Sequence, residues 1–294
     1  MRTRTWLALS LCSSMLAVAA CSGDSPGVVG DSDAGGGGGG TDSGAIDSGA
    51  SNKDAGGTPT DSGTTPKDSG PTGDSGTPDY PCQFSLPTTA AATLTLAGGV
   101  VEQGLGTQSA AAGAAIDAYG TQTSTTSIAN TTSDASGDFS LDIPTGGAPV
   151  DGYLKITKTG DLDTFLYPNF PLTTDQSKLA GILITQATFN TLAGFVTVTQ
   201  DSTKGFTAVE VLDCAGNSAS GATVTTSAGG TTKYNGAANI PSSTATTTGA
   251  DGIAYVFNMT AGDATIMVSI GGKPYRTHHV FTRAGTFTIT LATP

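Results

Sequence analysis

Two adjacent histidines, His278 and His279, are the only histidines in the chain and the first residues to consider for metal binding or proton transfer. Two histidines that bind one metal from the same strand need to lie two positions apart, because successive strand residues point to opposite faces. The adjacent pair is badly placed for this. We therefore interpret the segment as a surface strand with partly exposed imidazoles, and we predict no metal site and no cofactor.

Other catalytic patterns are weak in this sequence. No Gly-x-Ser-x-Gly motif stands on a strand-to-helix turn, and the glycine-rich stretches lack the Gly-Lys-Ser/Thr ending of a phosphate loop. From Cys82 onward the only glutamates are Glu102 and Glu210, so a glycosidase pair would need aspartates, which mostly lie in turn sequences. The residue types therefore favour a protein that is not an enzyme.

The four cysteines separate by position. Cys12 lies in the apolar leader and Cys21 directly follows it, which leaves Cys82 and Cys214. In an oxidising compartment two remaining cysteines favour a disulfide. The bridge would close a loop of about 130 residues and stabilise the fold by up to roughly 4–5 kcal/mol in the chain-entropy treatment. The alternative is two unpaired thiols too far apart to bond.

The N-terminus has the pattern of an export signal. Arg2 and Arg4 precede an apolar stretch that is too short to span a bilayer as a mature helix. It ends in Val-Ala-Ala before Cys21, which resembles the bacterial lipobox, where the cysteine is lipidated and becomes the first residue. We predict a lipoprotein signal peptide over 1–20 with acyl chains such as palmitate on Cys21. Ser22 in place of Asp favours the outer membrane, and an ordinary secretory signal is the alternative.

Residues 21–81 have the composition of a disordered tether. They are rich in Gly, Asp, Ser, Thr and Pro, and Asp-Ser-Gly recurs along them. Such a segment cannot bury enough apolar surface to offset the entropy of ordering. A flexible chain of this length spans roughly 40–45 Å between its ends. The segment is therefore predicted to hold the folded part away from its lipid anchor.

The charge of the chain limits its partners. Twenty-four acidic residues against twelve Lys and Arg give a formal net charge of −12, and binding of nucleic acid needs clustered basic residues. Beyond the leader no long apolar run exists, so only the lipid would attach the protein to a membrane. We expect a membrane contact through the lipid, a protein or glycan partner at the cell envelope, and no nucleic acid.

From Cys82 onward, short alternating runs of Thr, Val, Ile and Ala are separated by Gly, Asp and Asn, which is typical of all-β sandwiches. An internal repeat divides this region. The sequence Gly113–Ile116 corresponds to Gly221–Val224, and Thr132–Phe139 corresponds to Thr248–Tyr255. In both copies the Asp/Gly step predicts a tight turn in which Gly adopts a positive φ.

These motifs, together with the Asp213–Gly216 turn, resemble the carboxypeptidase regulatory-like domain, a transthyretin-like (prealbumin-like) β-sandwich. The resemblance implies an all-β fold of two tandem Ig-like or transthyretin-like sandwiches. The predicted bounds are a signal peptide at 1–20, a tether at 21–81, a first sandwich at 82–185, a connecting helix and turn at 186–204, and a second sandwich at 205–294. The helix rests on Phe189, Leu192, Ala193 and Val196, which follow a helical stripe.

Two classes of function remain. The first is a non-catalytic, lipid-anchored envelope protein that acts in adhesion, interaction or as a scaffold. The alternative is an envelope enzyme, a hydrolase or a dioxygenase-like protein, built on the transthyretin-like sandwich. Exposed aromatic residues at one end, such as Tyr153, Phe165, Tyr167 and Phe170, would favour contact with a glycan or a protein, whereas buried ones would belong to the core.

Overall fold

The structure is a computed structural model that describes residues 80–83, 85–236 and 239–294. The predicted signal peptide, Cys21 and nearly all of the tether lie outside these residues. The strands of the first repeat are β1 (Thr93–Gln103), β2 (Gln108–Ala110), β3 (Ala115–Tyr119), β4 (Ala129–Thr132), β5 (Asp138–Pro144), β6 (Tyr153–Thr157), β7 (Thr164–Tyr167) and β8 (Gln176–Leu183).

One helix, α1 (Gln186–Phe195), separates the repeats in the described part of the chain. The strands of the second repeat are β9 (Gly205–Val211), β10 (Ala222–Thr226), β11 (Thr231–Asn235), β12 (Pro241–Ser242), β13 (Ile253–Met259), β14 (Gly262–Ile270), β15 (Lys273–Pro274), β16 (His278–Thr282) and β17 (Phe287–Ala292). The prediction of an all-β fold with a short connecting helix is confirmed.

The strands of the described residues form three sheets. The first-repeat sheet consists of β1, β2, β5 and β8, and the second-repeat sheet consists of β10, β14, β15 and β16. The central sheet has nine strands in the order β12-β11-β13-β9-β17-β7-β6-β3-β4. Strand β7 of the first repeat and β17 of the second pair in parallel, with Phe287 opposite Thr164 and Thr290 opposite Tyr167. The two repeats therefore share one continuous sheet.

The two smaller sheets cover opposite faces of the central sheet. Side chains alternate between faces along a strand, and Leu166 packs with the first-repeat sheet while Phe165 and Tyr167 pack with the second-repeat sheet. Ala208 and Val209 divide in the same way. The described residues thus form three layers around two hydrophobic cores, and they belong to one compact unit.

The internal repeat is visible in matching hydrogen bonds. In the first copy the hydroxyl of Ser133 accepts from the amide of Ala114 at 2.9 Å and donates to the carbonyl three residues before that alanine. In the second copy the hydroxyl of Thr248 accepts from the amide of Ala222 at 2.9 Å and donates to the equivalent carbonyl. The predicted match of Gly113–Ile116 with Gly221–Val224 is confirmed. The second predicted match was wrong by one residue, because Ser133 and not Thr132 is the equivalent of Thr248.

Glycine is required at the Asp/Gly turn of each copy. Gly137 has a φ of 83° and Gly252 a φ of 69°, which L side chains rarely adopt. A Cβ at Gly137 would also collide with the carbonyl of Val100, and one at Gly252 would collide with the carbonyl of Val211. These equal contacts make Val100 and Val211 equivalent positions of β1 and β9.

Helix α1 packs on the central sheet next to β9 and β13. Thr185 caps its N-terminus by accepting a hydrogen bond from the amide of Thr188 at 3.1 Å. The ring of Phe189 lies 4.8 Å from that of Phe206 and 6.2 Å from that of Phe257. The helix therefore covers the part of this face that the first-repeat sheet leaves open. None of the described helical residues forms a helix long and apolar enough to cross a membrane.

Candidate functional site

A polar cleft of about 460 Å³ opens where the two repeats meet. This volume lies within the range of roughly 300–1,000 Å³ that is usual for ligand sites. Its polar lining residues are Thr121, Gln122, Asp151, Asn169, Asp263, Arg276, Thr277, His278 and His279. Leu86, Phe170 and Pro171 add an apolar edge. Both histidines, His278 and His279, line this cleft. They lie there together with first-repeat residues whose proximity to the histidines was not predicted from the sequence.

Asp151 is positioned by its neighbours in the first repeat. It forms an isolated bridge with Thr121, and the amide of Gln122 donates to its two carboxylate oxygens at 3.2 and 3.3 Å. The following residue is a glycine because a Cβ at Gly152 would collide with the backbone carbonyl of Tyr119. This close approach of two backbones brings the carboxylate to the wall of the cleft.

His278 is a buried, neutral histidine with 7% exposure, so the interpretation of both imidazoles as partly exposed was wrong for this one. Its side chain faces the central sheet, where Nε2 lies 2.6 Å from the hydroxyl of Thr290. Burial, with a smaller contribution from the nearby His279, lowers its pKa to about 4, and a hydrogen bond with the backbone of Asn169 acts in the opposite direction. The imidazole is therefore uncharged near neutral pH and is held in place by fixed partners.

His279 points the other way, as expected for the next residue of a strand. Its side chain is 53% exposed, and Nδ1 lies 3.9 Å from a carboxylate oxygen of Asp263. The hydroxyl of Thr265 lies 3.5 Å from the same nitrogen. In a catalytic triad the acid and the nucleophile bind different nitrogens of the ring, so this arrangement does not form one. Within the residues that the structure describes, no group of three His, Cys, Asp or Glu side chains could hold a metal.

A buried amide lies at the base of the cleft. Asn169 is 7% exposed, and its Nδ2 donates to the hydroxyl of Thr293 at 2.7 Å. Its Oδ1 has no hydrogen-bond partner among the described residues. An unpaired buried acceptor costs roughly 1–3 kcal/mol, so this part of the fold is not optimised for stability alone.

Glu210 is a second buried polar group, and in the sequence it stands out only as one of the two glutamates after Cys82. It is 3% exposed. Oε1 accepts from the hydroxyl of Ser218 at 3.2 Å, whereas Oε2 has no partner in the described part of the chain. Burial, with a smaller contribution from the charge of Asp251, raises the pKa of Glu210 to about 7, and the hydrogen bond from Ser218 acts in the opposite direction. The burial of Glu210 could have been predicted from its neighbours two positions away, Ala208 and Leu212, which are apolar and face the core.

Three of the four aromatic residues considered for surface contact belong to the core. Tyr153, Phe165 and Tyr167 are 5%, 4% and 1% exposed, and they pack together between the central and second-repeat sheets. Phe170 instead lines the cleft. Among the described lining residues, Phe170 is therefore the one Phe, Tyr or Trp at the edge of the cleft.

The start of the folded region is fastened to the second repeat. A disulfide joins Cys82 to Cys214, whose Cα atoms are 5.4 Å apart. Close by, the ring of Tyr80 lies 4.9 Å from that of Tyr275 in a T-shaped contact, and its hydroxyl donates to the carbonyl of Lys273 at 3.1 Å. The chain that leads from Cys21 thus enters the fold at the second repeat before it reaches β1.

No family model and no curated protein matches this sequence. Among solved structures, a mutant of the shaft pilin SpaA from Lactobacillus rhamnosus GG aligns at 10% identity over 69% of this chain and 98% of that one, with a TM-score of 0.24. The minor pilin GBS52 of Streptococcus agalactiae aligns at 10% identity over 68% and 95%, with a TM-score of 0.22. The major pilin RrgB of Streptococcus pneumoniae aligns at 12% identity over 70% and 49%, also with a TM-score of 0.22. At these identities and TM-scores the similarities assign no function to this chain.

Proposed function

We propose that this protein is a non-catalytic, lipid-anchored module of the cell envelope that binds a polar group of a protein or a glycan in the polar cleft. In this proposal Cys21 carries the lipid, residues 21–81 form the tether, and the sandwich unit is presented at the outer membrane for adhesion or as a scaffold. The two repeats are taken as carboxypeptidase regulatory-like domains that share a sheet.

The cleft between the repeats is the observation that carries this proposal. Its walls come from different repeats, and the pairing of β7 with β17 fixes those repeats to one another. A ligand that contacts both walls would therefore meet groups whose positions are set before binding, which lowers the entropy cost of association. Two carboxylates, those of Asp151 and Asp263, supply strong hydrogen-bond acceptors there.

The histidines of the cleft support binding more than catalysis. An acid–base catalyst needs a proton-transferring group near the operating pH, but the pKa of His278 is held near 4 by burial. His279 has both of its polar neighbours on Nδ1. Neither imidazole is arranged to take a proton from a neighbouring nucleophile.

The anchor rests on sequence and on where the tether joins the fold. A single acyl chain holds a protein weakly, whereas several chains on one cysteine hold it firmly, because each buried CH₂ contributes about 0.8 kcal/mol. The disulfide at Cys82 would pass any pull on the tether to Cys214 and so to the end of β9. Both features suit a module that keeps hold of a partner while attached to a membrane.

Binding by purified mature protein tests the role of the cleft. Envelope glycans and envelope proteins from the source cells would be immobilised separately, and binding would be followed by surface plasmon resonance. The double variant Asp151→Asn, Asp263→Asn should bind at least ten times more weakly than the wild type. Asp142→Asn is the matched control, because Asp142 is exposed and accepts one hydrogen bond, from Thr95, on the first-repeat sheet. Equal binding by the double variant and the wild type would show that the cleft is not the binding site.

A further inference from the structure

Strand β8 is an edge strand along its first half. It pairs with β1 on one side, and among the described residues no strand pairs with its other side. Its outer side accepts two hydrogen bonds at the C-terminal end, among the described residues. The amide of Leu162 donates to the carbonyl of Ile184 at 2.9 Å, and the hydroxyl of Thr164 donates to the carbonyl of Ile182 at 2.8 Å. Backbone groups alternate in direction along a strand, so Ala180, two residues before Ile182, also directs its N–H and C=O outward.

The equivalent strand of the second repeat carries an added strand at this edge. Strand β17 lies parallel to β9, just as β8 lies parallel to β1. Val100 is opposite Gly181, and its equivalent Val211 is opposite Ala292. Because Val100 and Val211 are equivalent, their partners Gly181 and Ala292 are equivalent as well. Strands β8 and β17 are therefore equivalent strands of the two repeats.

The pairing with β1 and β9 locates the site on β8. Leu179, opposite Gly98, corresponds to Thr290. Gln176, opposite Leu96, corresponds to Thr288, because β8 carries one extra residue at a register shift between these pairs. Thr288 and Thr290 belong to the stretch of β17 that pairs in parallel with β7. The fold itself therefore demonstrates that this type of edge accepts a parallel strand. In the first repeat the corresponding position along β8 has no such strand in the described part of the chain.

An apolar pocket opens beside this edge. It has a volume of about 50 Å³ and lies between the first-repeat and central sheets, with Lys178, Leu179 and Ala180 on one side. Leu166 and Leu172 line the other side. A pocket of this size and chemistry has room for the end of one aliphatic side chain, and strand addition commonly combines backbone hydrogen bonds with such pockets.

A buried acceptor marks the start of the edge. Gln176 is 5% exposed; its Nε2 donates to the carbonyl of Thr174 at 2.9 Å, while Oε1 has no partner in the described residues. Leaving a buried acceptor unpaired costs roughly 1–3 kcal/mol. An arriving segment that brings a donor to this end of β8 would recover part of that cost.

We propose that the outer edge of β8, from Gln176 to Ala180, binds an extended segment of a partner protein as a parallel strand, with an aliphatic side chain of that segment in the apolar pocket. Lys178 places a positive charge on the edge, so the segment should alternate aliphatic residues with acidic ones. A lysine on an edge also opposes pairing with a second copy of the same edge. A different protein is therefore the partner that fits.

The probe is a synthetic peptide with the sequence of Asp161–Asn169, DLDTFLYPN, because it contains β7. A scrambled peptide of the same composition is its control. Hydrogen–deuterium exchange of the full mature chain, with and without peptide, should show at least tenfold slower exchange at Ala180 with the β7 peptide alone. Unchanged exchange at saturating peptide, or no binding of the peptide, overturns the proposal.

A pair of variants tests the geometry. Ala180→Pro removes the outward N–H, which edge strands tolerate, and should weaken peptide binding at least tenfold. Ala180→Ser keeps that N–H and should bind within twofold of the wild type. Equal binding by the two variants contradicts strand addition. If Ala180→Pro fails to fold, the exchange measurement on the wild type decides alone. Slower exchange at Ala180 as the protein concentration rises without peptide would identify a second copy as the occupant and would refute the proposed partner.

Discussion

The guanidinium of Arg283 donates a hydrogen bond to the hydroxyl of Tyr167 at 2.8 Å. Arg283 follows β16 in the second repeat, whereas Tyr167 ends β7 in the first. The same guanidinium lies over the rings of Tyr153 and Phe165, with Cζ 4.5 and 4.2 Å from their centroids. One charged side chain thus joins the aromatic core of the first repeat to the loop after the second-repeat sheet, alongside the shared central sheet.

Replacing Arg283 should weaken this junction. Arg283→Lys keeps the charge but loses the planar group that stacks on two rings and reaches Tyr167, so the free energy of unfolding should fall by roughly 1–3 kcal/mol. Urea unfolding measures the change. The control is Lys158→Met, which removes a surface ion pair with Glu102 and should cost less than about 1 kcal/mol. An equal loss of unfolding free energy in the two variants would contradict a stabilising role of the stacked guanidinium beyond that of a surface ion pair.

The disulfide should limit how far the protein extends under force. With Cys82 bound to Cys214, a pull between the tether and the C-terminus can unfold and stretch only the part of the folded region after Cys214. Its fully extended length is about 260–290 Å for about 80 residues. The double variant Cys82→Ser, Cys214→Ser should extend by about 700–760 Å. Single-molecule force spectroscopy separates these lengths, and the longer extension in the non-reduced wild type would rule out the bridge.

The same bond should matter for equilibrium stability. Opening the loop should lower the free energy of unfolding by up to roughly 4–5 kcal/mol, because the unfolded chain regains conformational freedom. Mass spectrometry of a non-reduced digest checks the pairing directly. Alkylation of both cysteines without prior reduction would refute it.

Glu210 should make the fold less stable as pH rises. Its pKa is raised from an ordinary value of 4.5 to about 7 by burial and by Asp251, so between these values the folded state holds a proton that the unfolded state has released. The contribution of protonated Glu210 to the free energy of unfolding is fully present below about pH 4.5 and is lost by about pH 7. The change amounts to about 3 kcal/mol. In urea unfolding from pH 4 to 8, the free energy of unfolding of the wild type minus that of Glu210→Gln should fall by this amount as pH rises, because the other titrating groups are common to both proteins. Glu102→Gln, a change at a partly exposed glutamate, is the control, and its difference from the wild type should not show this fall.

His278 should act in the opposite direction. Its pKa is lowered from 6.5 to about 4, so between these values the unfolded state is protonated and the folded state is not, and stability falls as pH drops through this window. In the wild type the opposite effects of Glu210 and His278 on the free energy of unfolding partly cancel between about pH 4.5 and 6.5. His278→Gln should therefore expose the full slope of Glu210. The same pH profile in this variant and the wild type would contradict a buried, neutral His278.

The parts of the fold that the sequence predicted are those set by local chemistry. The Asp/Gly turns at Gly137 and Gly252 follow from the need for a positive φ, and α1 follows from the spacing of Phe189 and Ala193. The shared central sheet was not predicted, because Phe287 and Thr164 are far apart in sequence and either strand could pair with any neighbour of suitable pattern. Strand pairing of this kind is decided by tertiary packing.

The candidate site was predicted only in part. The sequence placed His278 and His279 on opposite faces, but it could not bring Asp151 to them, since that depends on the junction between repeats. The unpaired acceptors of Asn169 and Gln176 are likewise invisible in sequence, because many buried amides find partners. Polar residues whose role depends on contacts between repeats require the folded structure.

The most direct test of an anchored binding module compares intact cells that carry three forms of the protein. Cells with the wild type, with Cys21→Ser, or with Asp151→Asn and Asp263→Asn would be fractionated with detergent, and their binding to immobilised envelope glycans and proteins would be measured. We expect the wild type to partition with the membrane and to bind. Cys21→Ser should leave the membrane while the purified variant still binds, and the cleft variant should stay on the membrane without binding. Membrane association of Cys21→Ser equal to that of the wild type, together with undiminished binding by the cleft variant, would contradict an anchored binding module.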